Sequence, residues 1–267
     1  MGLSIGSFIN AFSWRYYENN EIDIKDLPTK IKNKNLSIIS GRSMCTHCFH
    51  QLSYYDLIPV ISWLMLRGKC RYCHKKISLQ YPVIEVFSAV LTVSYVLFLP
   101  YTINALGVIS LVLLLVIFYG LISLIILDFK WYILPTKIIY SLFIVGIVYT
   151  ILNIGHISIF NLIISTFIGG GLFYFLYIIS SGKWIGGGDI RLGFLLGFML
   201  GNFRYAILLI FLSSLIGSLT SLFLISFKRL SVKSAIPFGP FLIFSYVIIQ
   251  LFGRYILVWA KNHYLIA

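Results

Sequence analysis

From Ile103 to Leu127 the chain runs for 25 residues without one charged side chain. A helix of that length rises about 38 Å, enough to cross a hydrocarbon core of about 30 Å with some tilt. Inside lipid, backbone hydrogen bonds must close within the segment or within a sealed barrel. The run does not alternate between apolar and polar residues as a barrel strand would. A helical membrane fold follows. Composition agrees: 11% of the residues carry a charge, against about 25% in a soluble domain, which excludes a water-soluble fold.

Eight apolar segments are legible: 1–14, 82–100, 103–127, 133–153, 158–181, 190–203, 204–227 and 238–259. The fold class is therefore an all-α polytopic membrane protein of about eight transmembrane helices, with a small metal-binding domain in the loop between the first two. The segments give three parts: a short first helix at 1–14, a polar loop domain at 15–81 and a membrane domain at 82–267. The 14 residues of the first segment reach only about 21 Å as a helix. It has no basic n-region or small-residue cleavage site, so it does not read as a signal peptide. A start assigned too late or a thin helix supported by its neighbours would account for it. No internal repeat is visible, and the Lys/Asn-rich stretch 25–35 reads as a solvated loop.

The chain has 21 Lys and Arg against 8 Asp and Glu, a net charge of +13. In a membrane protein this excess sets orientation, with no call for a nucleic-acid partner. With the loop 15–81 on the cytoplasmic side, 18 of the 21 basic residues fall there, including Lys130, Lys137, Lys183, Arg191, Lys228, Arg229 and Lys233. Arg204, Arg254 and Lys261 fall opposite. The acids are scarcer. After residue 81 only Glu85, Asp128 and Asp189 remain, and each lies at a segment end on that same face. An ionisable group in or near a bilayer is a functional candidate by default.

Four constellations can carry chemistry. Cys45-x-x-Cys48 and Cys70-x-x-Cys73 are two knuckles that can present four thiolates tetrahedrally to zinc. Four cysteines leave no open position, so the site reads as a structural staple, with His47, His50 and His74 outside the ligand set. Asp128 closes the third segment; by itself it is equally an interfacial carboxylate paired with Lys130. Gly186-Gly187-Gly188-Asp189 opens the sixth. Non-helical backbone at membrane depth survives where it is buried or faces water, so a glycine loop ending in an acid suggests a hydrated site. A flexible linker with a helix-start aspartate is the plainer alternative. Together, two carboxylates at one face from distant parts of the chain can share a proton as an aspartic-protease dyad does. Phe238-Gly239-Pro240, ahead of the last helix, either lines the same cavity or forms an ordinary helix entry. Glu85 is either a functional acid or a helix-start carboxylate.

In this order the residues resemble the type IV prepilin peptidases (prepilin leader peptidase/N-methyltransferases), membrane aspartic proteases of the GxGD type. Gly6-Ser7-Phe8-Ile9-Asn10 with Arg15 is similar to the family's opening motif. Arg42-Ser43-x-Cys45-x-x-Cys48, Ile58-Pro59-x-x-Ser62-Trp63, Arg67-Gly68-x-Cys70-x-x-Cys73 and Tyr81-Pro82-x-x-Glu85 are similar to its zinc domain. Asp128 with Leu134-Pro135, Gly186 to Asp189, and Phe238-Gly239-Pro240 complete the series. The resemblance implies a multi-pass protein of a bacterial inner or plasma membrane, serving type IV pili, type II secretion or competence. It implies catalytic roles for Asp128 and Asp189 in cutting a short leader from pilin-like or pseudopilin precursors at the cytoplasmic face. It also implies methylation of the new N-terminus with S-adenosylmethionine, whose binding residues it does not specify. The chain departs from the family pattern at Tyr16, Ala89 and Thr136, where the family has a hydrophobic residue with proline, commonly glycine, and often an acid. Two other readings of the residues stand beside it: a proton-coupled transporter using the aspartates as a relay, and a non-enzymatic scaffold presenting the zinc loop.

Overall fold

The computed structural model describes residues 1–20, 41–98, 104–153, 158–227 and 236–264, with side chains described as far as 262. The stretch 25–35 and the basic residues Lys228, Arg229 and Lys233 lie outside the described residues. Among those described the helices are α1 (Gly2–Asn20), α2 (Ile61–Met65), α3 (Gln80–Phe98), α4 (Ala105–Trp131), α5 (Thr136–Leu152), α6 (Ile159–Ser180), α7 (Gly187–Leu200), α8 (Phe203–Ser226) and α9 (Gly239–Tyr264). A 3-10 turn at Tyr54–Leu57 precedes α2. Two isolated β-bridges, Met44–Gln51 and Lys69–Lys76, are the β pairing among the described residues.

Every expected apolar segment corresponds to a helix. Five of these (Gln80–Phe98, Ala105–Trp131, Ile159–Ser180, Phe203–Ser226 and Gly239–Asn262) are long and apolar enough to cross a membrane, and Thr136–Leu152 is a shorter apolar helix. The first helix outlasts its apolar segment. It continues to Asn20, and on the way Arg15 is buried and donates from Nη2 to the Gly41 carbonyl at 2.7 Å.

The chain divides into two compact units, Met1–Leu97 and Phe98–Ala267. In the first, α1 crosses α3 on small residues. A Cβ on Gly2 would lie 2.7 Å from Ala89 Cα, and one on Gly6 would lie 2.8 Å from Glu85 Cα. Glycines at i and i+4 let two helix backbones approach this closely. Asn10, one turn further along α1, donates to the Gly6 carbonyl at 3.3 Å and the Tyr81 carbonyl at 3.4 Å, and accepts from Gln80 at 3.4 Å.

In the second unit the two turns of α4 that end at Asp128 form the centre. Residues Leu121 to Asp128 are all buried, as expected of a helix enclosed on every side. Helices α6 and α7 meet backbone to backbone: a Cβ on Gly193 would strike the Gly169 carbonyl, and one on Gly197 the Ser165 carbonyl. Phe167 of α6 meets Phe194 of α7 edge to face at this crossing, ring centroids 6.4 Å apart, and on another side Phe143 of α5 stacks on Phe198 of α7 at 4.9 Å.

Candidate active site and metal cage

In the first unit the polar loop builds a cage of four thiols. Each Cys-x-x-Cys arm folds the same way. Phe49 N–H donates to the Cys45 carbonyl at 2.9 Å and His74 N–H to the Cys70 carbonyl at 3.0 Å. Cys45 N–H donates to the His50 carbonyl at 3.0 Å and Cys70 N–H to the Lys75 carbonyl at 2.9 Å. Phe49 and His74 both take φ 56°. The two arms thus repeat each other, a local repeat that the sequence pattern did not disclose.

The four Sγ atoms lie within 4.8 Å of one another, with Cys45 and Cys73 3.9 Å apart. Four thiolates around a metal at about 2.3 Å would stand about 3.8 Å apart, so the cage fits a tetrahedral ion. Burial pushes the Cys45 thiol up to about 12. Burial also opposes ionisation at Cys70, but the backbone N–H groups of Cys73 and Tyr72 and the neighbouring Cys45 and Cys73 thiols together outweigh it and hold that thiol below its usual range. No disulfide links the four. None of His47, His50 and His74 joins the cluster; His50 packs on Tyr72, ring centroids 3.7 Å apart.

Between the arms, Asp56 accepts from Ser53 Oγ at 2.8 Å, Arg71 Nε at 2.8 Å and Tyr72 at 3.3 Å. Burial raises its pKa, but these donors together hold it below the ordinary value. Glu85 belongs to this unit as well. Its Oε2 accepts from Val60 N–H at 2.7 Å, and Val60 sits at φ 62°, a conformation that strains a β-branched residue. The geometry therefore gives Glu85 a structural task, pinning the strained entry to α2.

The aspartates lie in the second unit. Asp128 ends the buried stretch of α4, just before Tyr132 turns the chain through φ 58°. Asp189 stands in the first turn of α7, its N–H bonded to the Gly186 carbonyl at 3.1 Å. Each carboxylate keeps a buried oxygen without a hydrogen-bond partner, Oδ2 of Asp128 and Oδ1 of Asp189. The two are close enough for their charges to interact. An orphaned buried carboxylate oxygen is costly, and two together mark a place kept for a ligand or water.

Three connectors converge on the pair. Leu134 presses its Cβ to 2.7 Å from where a Gly188 side chain would begin, and its Cδ1 to 3.3 Å from the same point on Gly239. A Cβ on Gly239 would lie 2.5 Å from Asp128 Oδ2, so any side chain there would displace the carboxylate. Pro240 is buried behind it in the first turn of α9. The glycines differ in task. Gly188 and Gly239 are needed for close approach, whereas Gly186 and Gly187 meet side-chain atoms only at 3.5 and 4.0 Å. The central position of Leu134 was not foreseen. It requires knowing that α4, α7 and α9 share an end.

Taken together, the fold and site define a polytopic membrane protein with a buried carboxylate pair and a four-thiol cage. Residues 1–99 match the bacterial peptidase A24 N-terminal domain and residues 114–222 the type IV leader peptidase family. The chain is 34% identical over 263 residues to the prepilin leader peptidase/N-methyltransferase of Vibrio cholerae serotype O1, covering 93% of both chains. It is 30% identical over 281 residues to that of Aeromonas hydrophila, covering 98% of this chain and 92% of the relative. With the Pseudomonas aeruginosa protein of that name the identity is 24%, covering 95% of this chain and 88% of the relative. The chain belongs to the type IV leader peptidase family. No solved structure matches it.

Proposed function

We propose that this protein is a membrane aspartic endopeptidase that removes the leader of type IV prepilin-like precursors and then methylates the exposed N-terminus. The observation that carries the first activity is the nearness of Asp128 and Asp189, close enough for their charges to interact, each with a buried oxygen that no group among the described residues satisfies. One carboxylate takes a proton from water as it attacks the scissile carbonyl, while the other, holding a proton, donates it to the carbonyl oxygen; as the tetrahedral intermediate collapses, the first passes the proton it gained to the leaving amine and the second takes one back from a hydroxyl. No covalent intermediate forms. Gly239 and Gly188 serve by what they lack, letting the last helix come up to Asp128 and Leu134 seat beside Asp189. A transporter relay would need further polar groups along the helix interiors, and a scaffold would leave the paired aspartates without a task.

The finer reading is as follows. Eight segments span the membrane, with the loop 15–81 and the aspartates on the cytoplasmic side, the side that collects 18 of 21 basic residues. Residues 1–14, 15–81 and 82–267 form the first helix, the metal-binding domain and the protease domain. The resident ion is zinc, held by Cys45, Cys48, Cys70 and Cys73; it neutralises buried thiolates and staples the loop, and takes no part in bond cleavage. Partners are pilin-like or pseudopilin precursors and the lipid bilayer. S-adenosylmethionine is the methyl donor.

One experiment tests both activities. Membranes containing the protein are incubated with a purified prepilin, and the product mass is measured with and without S-adenosylmethionine. Loss of the leader supports the peptidase, and a further gain of one methyl group at the new N-terminus supports the transferase. An intact precursor overturns the first activity; complete cleavage with no methyl added under saturating donor overturns the second.

A further inference from the structure

Two residues beyond Asp189, Arg191 reaches from α7 to the start of α5. Its Nη1 donates to Thr136 Oγ1 at 2.6 Å across a sequence separation of 55 residues. Helical geometry explains why this contact bears on the carboxylates. Positions three and four apart share a face, so Gly187, Gly188 and Arg191 line one side of the first turn of α7, with Asp189 about 160° round the helix from Arg191. That side receives the connector between α4 and α5. Leu134 seats on Gly188, and Thr136, two residues on, is bonded to Arg191. Leu134 also abuts Gly239, which in turn abuts Asp128. A chain of contacts therefore runs from the guanidinium through the connector to the Asp128 carboxylate and to the backbone beside Asp189, while Arg191 itself lies on the far side of α7 from Asp189.

Backbone hydrogen bonds hold the connector at its two ends, Tyr132 N–H to the Asp128 carbonyl at 2.9 Å and Ile138 N–H to the Pro135 carbonyl at 3.1 Å. Pro135, the residue ahead of α5, makes no side-chain cap, and Thr136 is the first residue of the helix. The hydroxyl of Thr136 thus gives the connector a lateral anchor on α7 that helix capping does not supply. Arginine suits the task because it is always charged, and its long stem reaches a neighbouring connector while its planar fork fixes the direction of the donor.

We propose that Arg191 is a positioning residue for the Asp128–Asp189 pair, acting through Thr136 to keep Leu134 seated between Gly188 and Gly239. The proposal rests on the peptidase reading above. A small misplacement of a reacting group, caused from outside the site, is enough to slow a step that depends on alignment. The residue touches neither the scissile bond nor the water, so turnover should suffer and substrate binding should not.

The test is steady-state cleavage of a purified prepilin by the full chain in membranes. Arg191→Gln and Thr136→Val should each lower kcat about ten-fold, the lower range for one hydrogen bond from a charged donor, with KM within about two-fold of the parent. The double variant should be no slower than the slower single one, because both remove the same contact. Thr136→Ser, which keeps the hydroxyl, should restore kcat; thermal unfolding of each variant separates misfolding from misalignment. Multiplicative losses near a hundred-fold in the double variant would overturn the proposal. So would full activity in Thr136→Val, or a rise in KM with kcat unchanged. Absence of cleavage by the unsubstituted protein would instead overturn the peptidase reading, and this inference with it.

Discussion

The thiol cage and the carboxylate pair are both convergent sites, but they are assembled at different ranges. All four thiols come from residues 45 to 73, and each arm closes on itself through the same two backbone hydrogen bonds. The aspartates come from residues 128 and 189 and meet only because α4, α7 and α9 end together around Leu134. The cage is specified by spacing, the pair by helix packing. A change in the cage should therefore act chiefly on its loop and reduce cleavage without abolishing it, whereas a change at a distant helix crossing should reach the pair.

The largest expected effect sharpens the chemical half of that contrast. Asp128→Asn and Asp189→Asn should each lower prepilin cleavage by about 10³-fold or more, since neither carboxylate can cover the other's proton transfer. Helix content and membrane insertion should be unchanged, because asparagine fills the same space. Near-normal turnover in either variant, measured by product mass, would remove that residue from the reaction.

Next in size is removal of the metal. Cys45→Ser combined with Cys70→Ser takes one ligand from each arm, and the purified protein should lose its bound zinc by elemental analysis. The loop should become protease-sensitive, because a polar loop of this size has little else to order it. Cleavage should fall by about an order of magnitude or less without vanishing. An abolished activity would show that the cage and the pair are not separable.

How the two sites were legible follows from the same contrast. The cysteine spacing is short-range information, so it named the ligands directly, although not the matched turns at Phe49 and His74. The aspartates were legible for a different reason: acids are so scarce after residue 81 that Asp128 and Asp189 drew attention without any knowledge of packing. What scarcity could not supply was the means of bringing them together. Leu134 looks like one more apolar residue, and the bond from Arg191 to Thr136 spans helices whose adjacency no local pattern encodes. Glu85 was equally scarce, yet its partner is Val60. A rare acid thus marks an important position without distinguishing chemistry from backbone restraint. The α6–α7 crossing was readable in principle, since Gly193-x-x-x-Gly197 is a small-residue helix-packing signal.

That crossing supplies an intermediate effect. Gly193→Ala places a methyl against the Gly169 carbonyl and 2.8 Å from Phe173 Cδ2, so α7 must shift. A cost of roughly 1–3 kcal/mol is expected from overpacking of this kind, read as a lowered thermal midpoint in detergent together with slower cleavage. Gly171→Ala is the matched control, because a Cβ there meets nothing within 4 Å and alanine favours the helix. Equal behaviour of the two variants would remove the crossing from the support of Asp189.

The smallest effect tests whether the loop keeps its perturbations to itself. Asp56 is shielded, its side chain 3% exposed, whereas Arg71, which donates to it at 2.8 Å, is 52% exposed. The surface half of the pair is screened by salt, so Asp56→Asn should weaken the loop by only about 1 kcal/mol at neutral pH. The pH dependence has a definite sign. The folded carboxyl titrates below its ordinary 3.8, so its contribution is complete above that value and is lost as pH falls through the lower, folded one. Acid also protonates the thiolates and releases metal, which destabilises parent and variant alike. The informative quantity is therefore the difference between them, measured as protection from hydrogen exchange at residues 53–57. That difference should be constant at neutral pH and shrink towards zero below about pH 4. A difference that persisted unchanged in acid would mean that Asp56 acts through packing and not through its charge. Prepilin cleavage at neutral pH should be the same in both proteins, as a loop that confines its own damage requires.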